Sequence, residues 1–194
     1  MEDLVLRNRS YRRFHQDRAI PYPVLEELID LARLSPSSRN AQPLKYFVAN
    51  QQDTNGIIFR NLAWAGYLTD WPGPEEGEQP SAYIIILEDK SIGEGFQIDY
   101  GIAAQTIMLG ATHKGFGGCI VGSVRREQLA VELKLPQNLS IALVLALGYP
   151  KERVKLHDIE VDGDIKYWRG KDGTHHVPKR KLKDIIVPHS DSIQ

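Results

Sequence analysis

The apolar and polar positions along this chain alternate between helical and strand-like patterns. Apolar residues recur at helical spacing over 24–34, opposite a charged face, which predicts an amphipathic helix. Continuous apolar runs at 81–88 and 140–148 have the length of strands that are covered on both faces. The segment 97–114 is apolar around most of its circumference and predicts a central helix. In a chain this short, a second subunit is a candidate for part of the protein that surrounds this helix.

Shorter elements fill the rest of the pattern. We expect helices at 2–8, 54–62 and 126–133, a strand at 46–49, and a strand-like run at 184–187 that adds to a sheet edge. The glycines at 115–118 should end the central helix, because glycine tolerates positive φ, and lead into a strand. The segment 63–80 is interrupted by glycines and prolines, so no long regular element is expected there.

A polar loop, 35–43, connects the predicted helix at 24–34 to the predicted strand at 46–49. Its sequence is Ser-Pro-Ser-Ser-Arg-Asn-Ala-Gln-Pro. Proline fixes backbone dihedrals, serine can bond its own backbone, and the amides of Asn40 and Gln42 offer donors and acceptors. Such a loop can present a rigid row of hydrogen-bonding groups to a flat polar ligand. An ordinary helix-to-strand connection explains these residues equally well.

Composition and charge exclude several classes of protein. The 194 residues, 42% of them hydrophobic, suit one domain with a real core. The 24 basic residues nearly cancel the 25 acidic ones, which disfavours nucleic acid as a partner. Cys119 is the single cysteine, and the six histidines lack metal-ligand spacing, so we expect neither a disulfide nor a metal site. Without a signal-peptide pattern or a membrane-length apolar run, we expect a cytoplasmic protein.

Positive charge is concentrated at the two ends of the chain. Five arginines fall within the first twenty residues, and Lys179, Arg180 and Lys181 lie near the other end. Alternate residues of an extended segment point to one side, so the pair of arginines Arg9 and Arg12 and the hydroxyl of Ser10 between them could converge on an anion. A solvated basic face is the simpler interpretation. The dense charge at both ends makes sense if the ends meet around one anion.

Two further segments carry candidate binding groups. Trp64 and Trp71 lie in the irregular segment 63–80, which is either a structural loop or a lid that covers a pocket with an aromatic wall. Around Val121 and Gly122, backbone N–H groups could point at a ligand, although a helix stop followed by a strand explains these residues too. The glycines here follow a helix and no lysine-serine pair is present, so phosphate-binding fingerprints are excluded. No Gly-x-Ser-x-Gly motif supports a serine hydrolase.

Taken together, these residues resemble the FMN-dependent nitroreductase family. The resemblance rests on Arg-Ser-Tyr-Arg-Arg-Phe at 9–14, the 35–43 loop, the segment 115–123 after a long apolar helix, and the basic residues 179–181, in this order. It implies an α+β fold, with a mixed, mainly antiparallel sheet flanked by helices and an extended C-terminal arm. It further implies a single domain over 1–194 and a homodimer with two shared FMN sites.

The resemblance also implies roles for the basic residues. Arg9 and Ser10 would hold the FMN phosphate, with Lys179 and Lys181 reaching it from the other end of the chain. Arg12 would face N1 and O2 of the isoalloxazine ring. A fixed cation there stabilises the reduced flavin, so Arg12 would tune the potential while the flavin itself does the chemistry. No side chain is expected to act as a catalytic acid or base.

Other contacts implied by the resemblance come from backbone and loop groups. The backbone N–H of Gly122, next to Val121, would approach flavin N5. Several residues of the 35–43 loop would reach the flavin from the partner subunit: Pro36, Ser37, Ser38, Asn40 and Gln42. Trp64 and Trp71 would belong to the substrate pocket, because family members vary in this region.

Two positions depart from the family pattern. Many members have a basic residue where this chain has Asn8, so either Arg7 or Arg180 would compensate. An aromatic residue often follows the Gln-Pro pair, where this chain has Leu44.

The expected activity is electron transfer from NADH or NADPH through FMN to a nitroaromatic, a quinone or a similar acceptor, in a ping-pong cycle. The alternatives are a specialised flavin enzyme of the same fold, such as a reductive dehalogenase or a flavin-destroying enzyme, and a flavin-binding module without turnover. A nucleic-acid binder that uses the basic ends is a third alternative, which the overall charge disfavours. The acceptor and the choice between NADH and NADPH are left open.

Overall fold

The computed structural model describes residues 1–187 and groups the chain into two compact units. The first unit contains Met1–Trp64 and Pro72–Lys151, and the second contains Ala65–Trp71 and the chain from Glu152 onward. The prediction of a single domain over 1–194 stays a prediction.

The first unit holds the larger sheet and five helices. Its helices are α1 (Glu2–Arg7), α2 (Tyr22–Arg33), α3 (Gln52–Phe59), α4 (Gln97–His113) and α5 (Arg126–Glu132). Its strands are β1 (Leu44–Ala49), β2 (Ala82–Asp89), β3 (Gly117–Val121) and β4 (Leu139–Gly148). A short 3₁₀ turn, Ser38–Asn40, lies between α2 and β1. Each predicted helix and strand of this unit is confirmed, with ends that differ by a few residues.

The four strands form an antiparallel sheet in the order β1-β2-β4-β3. Every residue of β2 is buried, as expected for its continuous apolar run. The first half of β4 is only partly covered, so the prediction of a fully buried strand is wrong there. An α+β fold with an antiparallel sheet flanked by helices is confirmed.

The core lies between the sheet and the pair α2 and α4. Gly110 of α4 allows the two helices to approach closely, because a Cβ at that position would lie 2.6 Å from Cδ1 of Leu31. Gly115, with φ of +83°, follows the end of α4 and confirms the predicted glycine stop. Ile98 in the first turn of α4 is 76% exposed, so the apolar surface of this helix is not all covered within one chain.

The second unit contains a smaller sheet of three strands. These are β5 (Val154–Ile159), β6 (Trp168–Arg169) and β7 (His175–Arg180), in the order β5-β7-β6. β7 pairs in parallel with β5 and antiparallel with β6, so mixed pairing occurs in this small sheet, whereas the helix-flanked sheet of the first unit, for which it was expected, is wholly antiparallel. The rings of Trp168 and His176 stack on this sheet with their centroids 4.8 Å apart.

The prediction of a strand-like run at 184–187 is wrong. Residues Leu182–Ile185 form a short helix, α6, and the strand of this region is β7. Within this sheet β7 is the central strand, and residues Leu182–Ile185 add to neither of the outer strands, β5 and β6. A helical turn bonds its own backbone groups instead and leaves Ile185 60% exposed.

Within residues 1–187, no helix is both long enough and apolar enough to cross a bilayer. The homodimer, the extended arm and the cytoplasmic location stay predictions.

Candidate functional site

The segment after α1, which carries Arg9, Ser10 and Arg12, is fixed on the start of β3. Ser10 pairs with Gly118 in a parallel bridge, and the backbone N–H of Tyr11 donates to the Gly118 carbonyl at 2.9 Å. The Tyr11 ring packs against Gly117, where a Cβ would lie 2.5 Å from the ring. The glycines predicted to stop α4 therefore have a second function, which is to let the arginine-bearing segment lie close to the sheet.

The side chains of this segment are partly engaged by the protein. Arg9 donates from Nε to the Asn8 carbonyl and from Nη2 to the Val5 carbonyl, both at 2.6 Å, and so satisfies carbonyls at the end of α1. A guanidinium has five donors, so donors of Arg9 remain beyond these two bonds. Arg12 is half-buried, and its Nη1 donates to the Ser10 carbonyl at 3.3 Å. The segment thus has the predicted concentration of cationic donors, held in place by its own backbone.

Arg13 has a structural partner that the sequence did not indicate. It forms a bidentate ion pair with Glu78, a side chain that is 7% exposed, and Lys151 approaches the same carboxylate at 3.0 Å. The hydrogen bond from Arg13, together with that from Lys151, lowers the pKa of Glu78 from 4.5 to about 2 despite the opposing effect of burial. The backbone N–H of Phe14 also donates to the Glu78 carbonyl at 2.9 Å. Arg13 therefore anchors the segment that carries Arg12.

The 35–43 loop has an unusual backbone conformation. Three of its residues that are not glycine lie in the left-handed region: Arg39 (φ 54°), Asn40 (φ 53°) and Gln42 (φ 51°). Such conformations are sparsely populated for residues with a Cβ, and they persist only where surrounding contacts enforce them. Ser38, Asn40 and Gln42 are exposed. The loop therefore presents polar side chains to solvent from a strained backbone.

Contacts from two helices hold this loop. Ser35 Oγ contacts the Leu31 carbonyl of α2 at 3.1 Å and Thr106 Oγ1 of α4 at 2.9 Å. Asp99, in the first turn of α4, is 3% exposed and accepts from Ser37 Oγ at 2.6 Å and from the Ser38 backbone N–H at 2.9 Å. Both carboxylate oxygens of Asp99 are therefore directed at the loop.

Sequence reasoning missed Asp99. The available signal was a single acidic residue in an otherwise apolar helix, at the N-terminal turn, where the helix dipole favours a negative charge. That signal alone does not distinguish a helix-capping acid from a buried partner of a loop 62 residues away in sequence.

A pocket of about 240 Å³ lies beside this loop. Its lining combines loop residues with the end of α2, the start of β1 and the start of α4, and it includes Pro36, Ser37, Gln42, Tyr46 and Asp99. Burial and, after it, the negative charge of Asp99 raise the pKa of Tyr46 to about 12. The Tyr46 hydroxyl therefore stays protonated at neutral pH and can donate a hydrogen bond.

The end of β3 carries the two residues predicted to offer backbone N–H groups to a ligand, and that role stays a prediction. Val121 is buried, whereas Gly122 is exposed, and no atom lies within 4 Å of the place where a Cβ of Gly122 would be. The Gly122 carbonyl accepts from Arg126 Nη2 at 3.0 Å, which orients this peptide. Gly122 therefore leaves open space beside the backbone at the end of β3.

The two tryptophans predicted for a substrate pocket have different surroundings. Trp64 is 8% exposed and packs on Phe59, with ring centroids 5.9 Å apart, and on Gly73. Trp71 is half-buried in the second unit, where the guanidinium of Arg169 lies 4.4 Å from its ring centroid. Trp64 thus has a packing role, and the assignment of both residues to a substrate pocket stays a prediction.

The C-terminal cations belong to the second unit. Lys179 is exposed, Arg180 Nη1 donates to the Val161 carbonyl at 2.6 Å, and Lys181 pairs with Glu160. At the other end, Arg7 pairs with Asp3 at 2.9 Å within α1. Whether Arg7 or Arg180 compensates for Asn8, and whether the two basic ends share an anion, stay predictions.

The predicted site residues of the first unit therefore fall into two groups on different elements. Arg9, Ser10 and Arg12 are joined to β3, the strand that ends at Val121 and Gly122, whereas the 35–43 loop is joined to α4. Among the described residues, histidine, cysteine and acidic side chains form no group of three that could hold a metal ion. The chemistry available at these groups is binding by cationic and amide donors.

Comparisons with known proteins identify relatives of this chain. A curated relative from Archaeoglobus fulgidus, named NADH dehydrogenase/NAD(P)H nitroreductase, is 24% identical over 165 residues, which cover 81% of this chain and 89% of the relative. A relative with the same name from Methanothermobacter thermautotrophicus is 27% identical and covers 78% of each chain.

Solved structures show the same fold. A nitroreductase family protein from Clostridium novyi NT superposes with a TM-score of 0.65 at 26% identity and covers 77% of this chain and 84% of its own. An FMN-dependent nitroreductase from Clostridium difficile R20291 has a TM-score of 0.65 at 21% identity, with 88% and 99% covered. The model of the Nitroreductase family matches residues 5–68 and 75–149, so the chain belongs to the nitroreductase family.

Proposed function

We propose that this protein is an FMN-dependent oxidoreductase that takes electrons from NADH or NADPH and passes them to a small organic acceptor such as a nitroaromatic or a quinone. The observation that carries the proposal is the 35–43 loop, which presents the exposed polar side chains of Ser38, Asn40 and Gln42 from a backbone enforced by buried contacts. The relatives' names, which include NAD(P)H nitroreductase and FMN-dependent nitroreductase, support the same activity.

The residues present fit a flavin mononucleotide. Its phosphate requires several charge-assisted bonds, and Arg9 with Ser10 offers a guanidinium and a hydroxyl in one rigid segment. Its ring requires close backbone approach and amide donors. Gly122 leaves that approach open, and Asn40 and Gln42 supply the amides.

Bound FMN would supply hydride and electron transfer at its ring. The chain would bind and orient the cofactor. Arg12 would place positive charge at N1 and O2, where reduction adds negative charge, and so raise the potential. Its planar fork can donate twice to such a conjugated edge, which a lysine cannot do.

A site shared between two subunits is part of the proposal. The pocket beside the loop holds about 240 Å³, which is less than the roughly 300–1,000 Å³ of ordinary small-molecule sites, so one chain gives little enclosure. Ile98 is 76% exposed on α4 close to Asp99, and an apolar side chain left open on a central helix suits a subunit interface. A partner subunit would then cover Ile98 and enclose the pocket that one chain leaves open.

The proposal is tested by purification followed by titration with FMN. We expect the protein to bind FMN, to absorb at about 450 nm, and to oxidise NADH or NADPH when an acceptor is present. Stopped-flow reduction with each nucleotide, followed by a screen of acceptors, would identify the donor and the acceptor class. A protein that binds no FMN would refute the proposal.

The same measurements separate the alternatives. A flavin-binding module would bind FMN tightly and oxidise neither nucleotide with any acceptor. A specialised flavin enzyme of the same fold, such as a reductive dehalogenase or a flavin-destroying enzyme, would show a narrow acceptor range or would consume the flavin.

A further inference from the structure

We infer that Asp99 is the positioning residue of the flavin site: it holds the 35–43 loop, through Ser37 and Ser38, in the conformation that binds the cofactor. This inference rests on the proposed function, because the ligand of the loop is taken to be FMN. It assigns the control of this loop to a buried side chain in the first turn of α4, 62 residues from Ser37 in sequence.

The contacts of Asp99 form a connected set. Asp99 Oδ2 accepts from Ser37 Oγ at 2.6 Å, and Oδ1 accepts from the Ser38 backbone N–H at 2.9 Å. The same Ser37 Oγ accepts from the Gln42 backbone N–H at 2.9 Å. One carboxylate therefore holds both ends of the short turn from Ser37 to Gln42, directly at the first end and through a hydroxyl at the second.

The position of these Asp99 contacts explains how the loop keeps its left-handed backbone conformation. The three left-handed residues, Arg39, Asn40 and Gln42, all lie between or at the points that Asp99 holds. Left-handed φ is unfavourable for Arg39 and Gln42 and less so for Asn40, so contacts outside the turn must compensate. Hydrogen bonds to an ionised group are about twice as strong as neutral ones, and Asp99 supplies two from a site that is 3% exposed.

The bonding of Ser37 also changes the role expected of that residue. A serine hydroxyl has a single proton, and Ser37 donates it to Asp99. Ser37 is therefore left with acceptor capacity only and cannot donate to a flavin from this conformation. Its part in the site is to transmit the position of Asp99 to Gln42, while Ser38, Asn40 and Gln42 face the ligand.

The test compares wild type with Asp99→Asn and Ser37→Ala by hydrogen–deuterium exchange of the FMN-free protein and by quenching of flavin fluorescence on titration. An asparagine keeps the shape but removes the charge, so its oxygen accepts one neutral bond and its NH₂ group can only donate a neutral bond to Ser37 Oγ, where the carboxylate accepted two charge-assisted ones. We expect faster exchange of the peptide that spans 35–43, at sites including the Ser38 and Gln42 amides, and FMN affinity weaker by about tenfold in each variant. The double variant should lose little more than Asp99→Asn alone, because both act through one connection.

Thr112→Val is the matched control. Thr112 is also buried on α4, at 3% exposure, and its hydroxyl bonds the Met108 carbonyl at 2.8 Å, far along the helix from the loop. It should leave exchange of the loop and FMN affinity unchanged. Wild-type exchange of the loop in Asp99→Asn would overturn the inference, and if that variant fails to fold, Ser37→Ala decides by the same readout. A wild type that binds no FMN would refute the proposed function instead, while the exchange data would still decide the role of Asp99.

Discussion

Glu78 accepts two hydrogen bonds from Arg13, a residue 65 positions away in the sequence, with Arg13 Nη2 at 2.5 Å from Oε1. This ion pair fixes the segment that carries Arg12, because Arg13 is the next residue along the chain. The second half of the irregular segment 63–80, which contains Glu78, is thereby connected to the N-terminal arginine motif.

The Glu78 ion pair predicts a pH dependence of stability. The pKa of Glu78 is lowered from 4.5 to about 2 in the folded protein, chiefly by the hydrogen bond from Arg13. A lowered pKa means that the stabilisation is fully present above pH 4.5 and is lost as the pH falls towards 2. We expect Glu78→Gln to reduce the free energy of unfolding by about 2 kcal/mol at pH 7, the scale of a hydrogen bond to a charged group, and by much less near the lower pKa.

Urea unfolding across this pH range measures the effect. Asp30→Asn is the control, because Asp30 pairs with Arg33 on the surface, where both side chains are more than half exposed. Such surface pairs contribute little, so the control should change the free energy by less than about 0.5 kcal/mol at any pH. A Glu78→Gln effect that does not shrink at low pH would contradict the assignment of the stabilisation to the ionised carboxylate.

Substitution of Arg12 should change the reduction potential of the flavin more than it changes the affinity for FMN. Arg12→Ala removes the cation proposed at N1 and O2, so we expect a lower reduction potential and reduction by NADH or NADPH slowed by about 100-fold, with a smaller loss of FMN affinity. Potentiometric titration and stopped-flow spectroscopy measure these separately. Arg12→Lys should recover part of the potential, because it keeps the charge and loses the fork. An unchanged potential in Arg12→Ala would place the residue elsewhere.

Substitution by alanine should have different effects at two glycines near β3: one should lower FMN affinity and the other should lower stability. A Cβ at Gly122 meets no atom within 4 Å, so Gly122→Ala should fold with stability changed by less than about 0.5 kcal/mol and yet weaken FMN binding by about tenfold. A Cβ at Gly118 would lie 2.4 Å from the Ala146 carbonyl oxygen, so Gly118→Ala should lose about 2 kcal/mol of stability. Thermal unfolding and FMN titration distinguish the two. Unchanged FMN affinity in Gly122→Ala would argue against this backbone as the place of close approach.

A shared site predicts complementation between inactive subunits. Arg12→Ala and Asn40→Ala should each lower activity in a homodimer. A hybrid of the two variants has one site with both substitutions and one with neither. Random mixing makes half of the dimers hybrids, so the mixture should recover about a quarter of wild-type activity. Light scattering at micromolar concentration supplies the oligomeric state, and a monomer with bound FMN, or a mixture without recovery, would exclude the shared site.

Local patterns in the sequence were enough to predict most helices and strands of the first unit. The helix α2 follows from its apolar spacing, β2 from its continuous apolar run, and the end of α4 from Gly115, because each depends on residues close together in the chain. The 35–43 loop and the segment at 9–14 could likewise be selected as candidate binding segments from their residue types.

Other features of the structure could not be predicted from local patterns in the sequence. A strand-like run at 184–187 was expected, yet the chain forms α6 at Leu182–Ile185, because a short apolar run fits a helical turn as well as a strand and local pattern alone does not choose between them. Glu78 and Asp99 were not selected as site residues, since a carboxylate acquires such a role only when folding brings a donor to it across 60 or more residues. The sequence by itself determined the elements and the binding residue types. Only the tertiary structure decided that one buried carboxylate holds the loop and that another anchors the arginine segment, because burial and distant partners are properties of the folded chain.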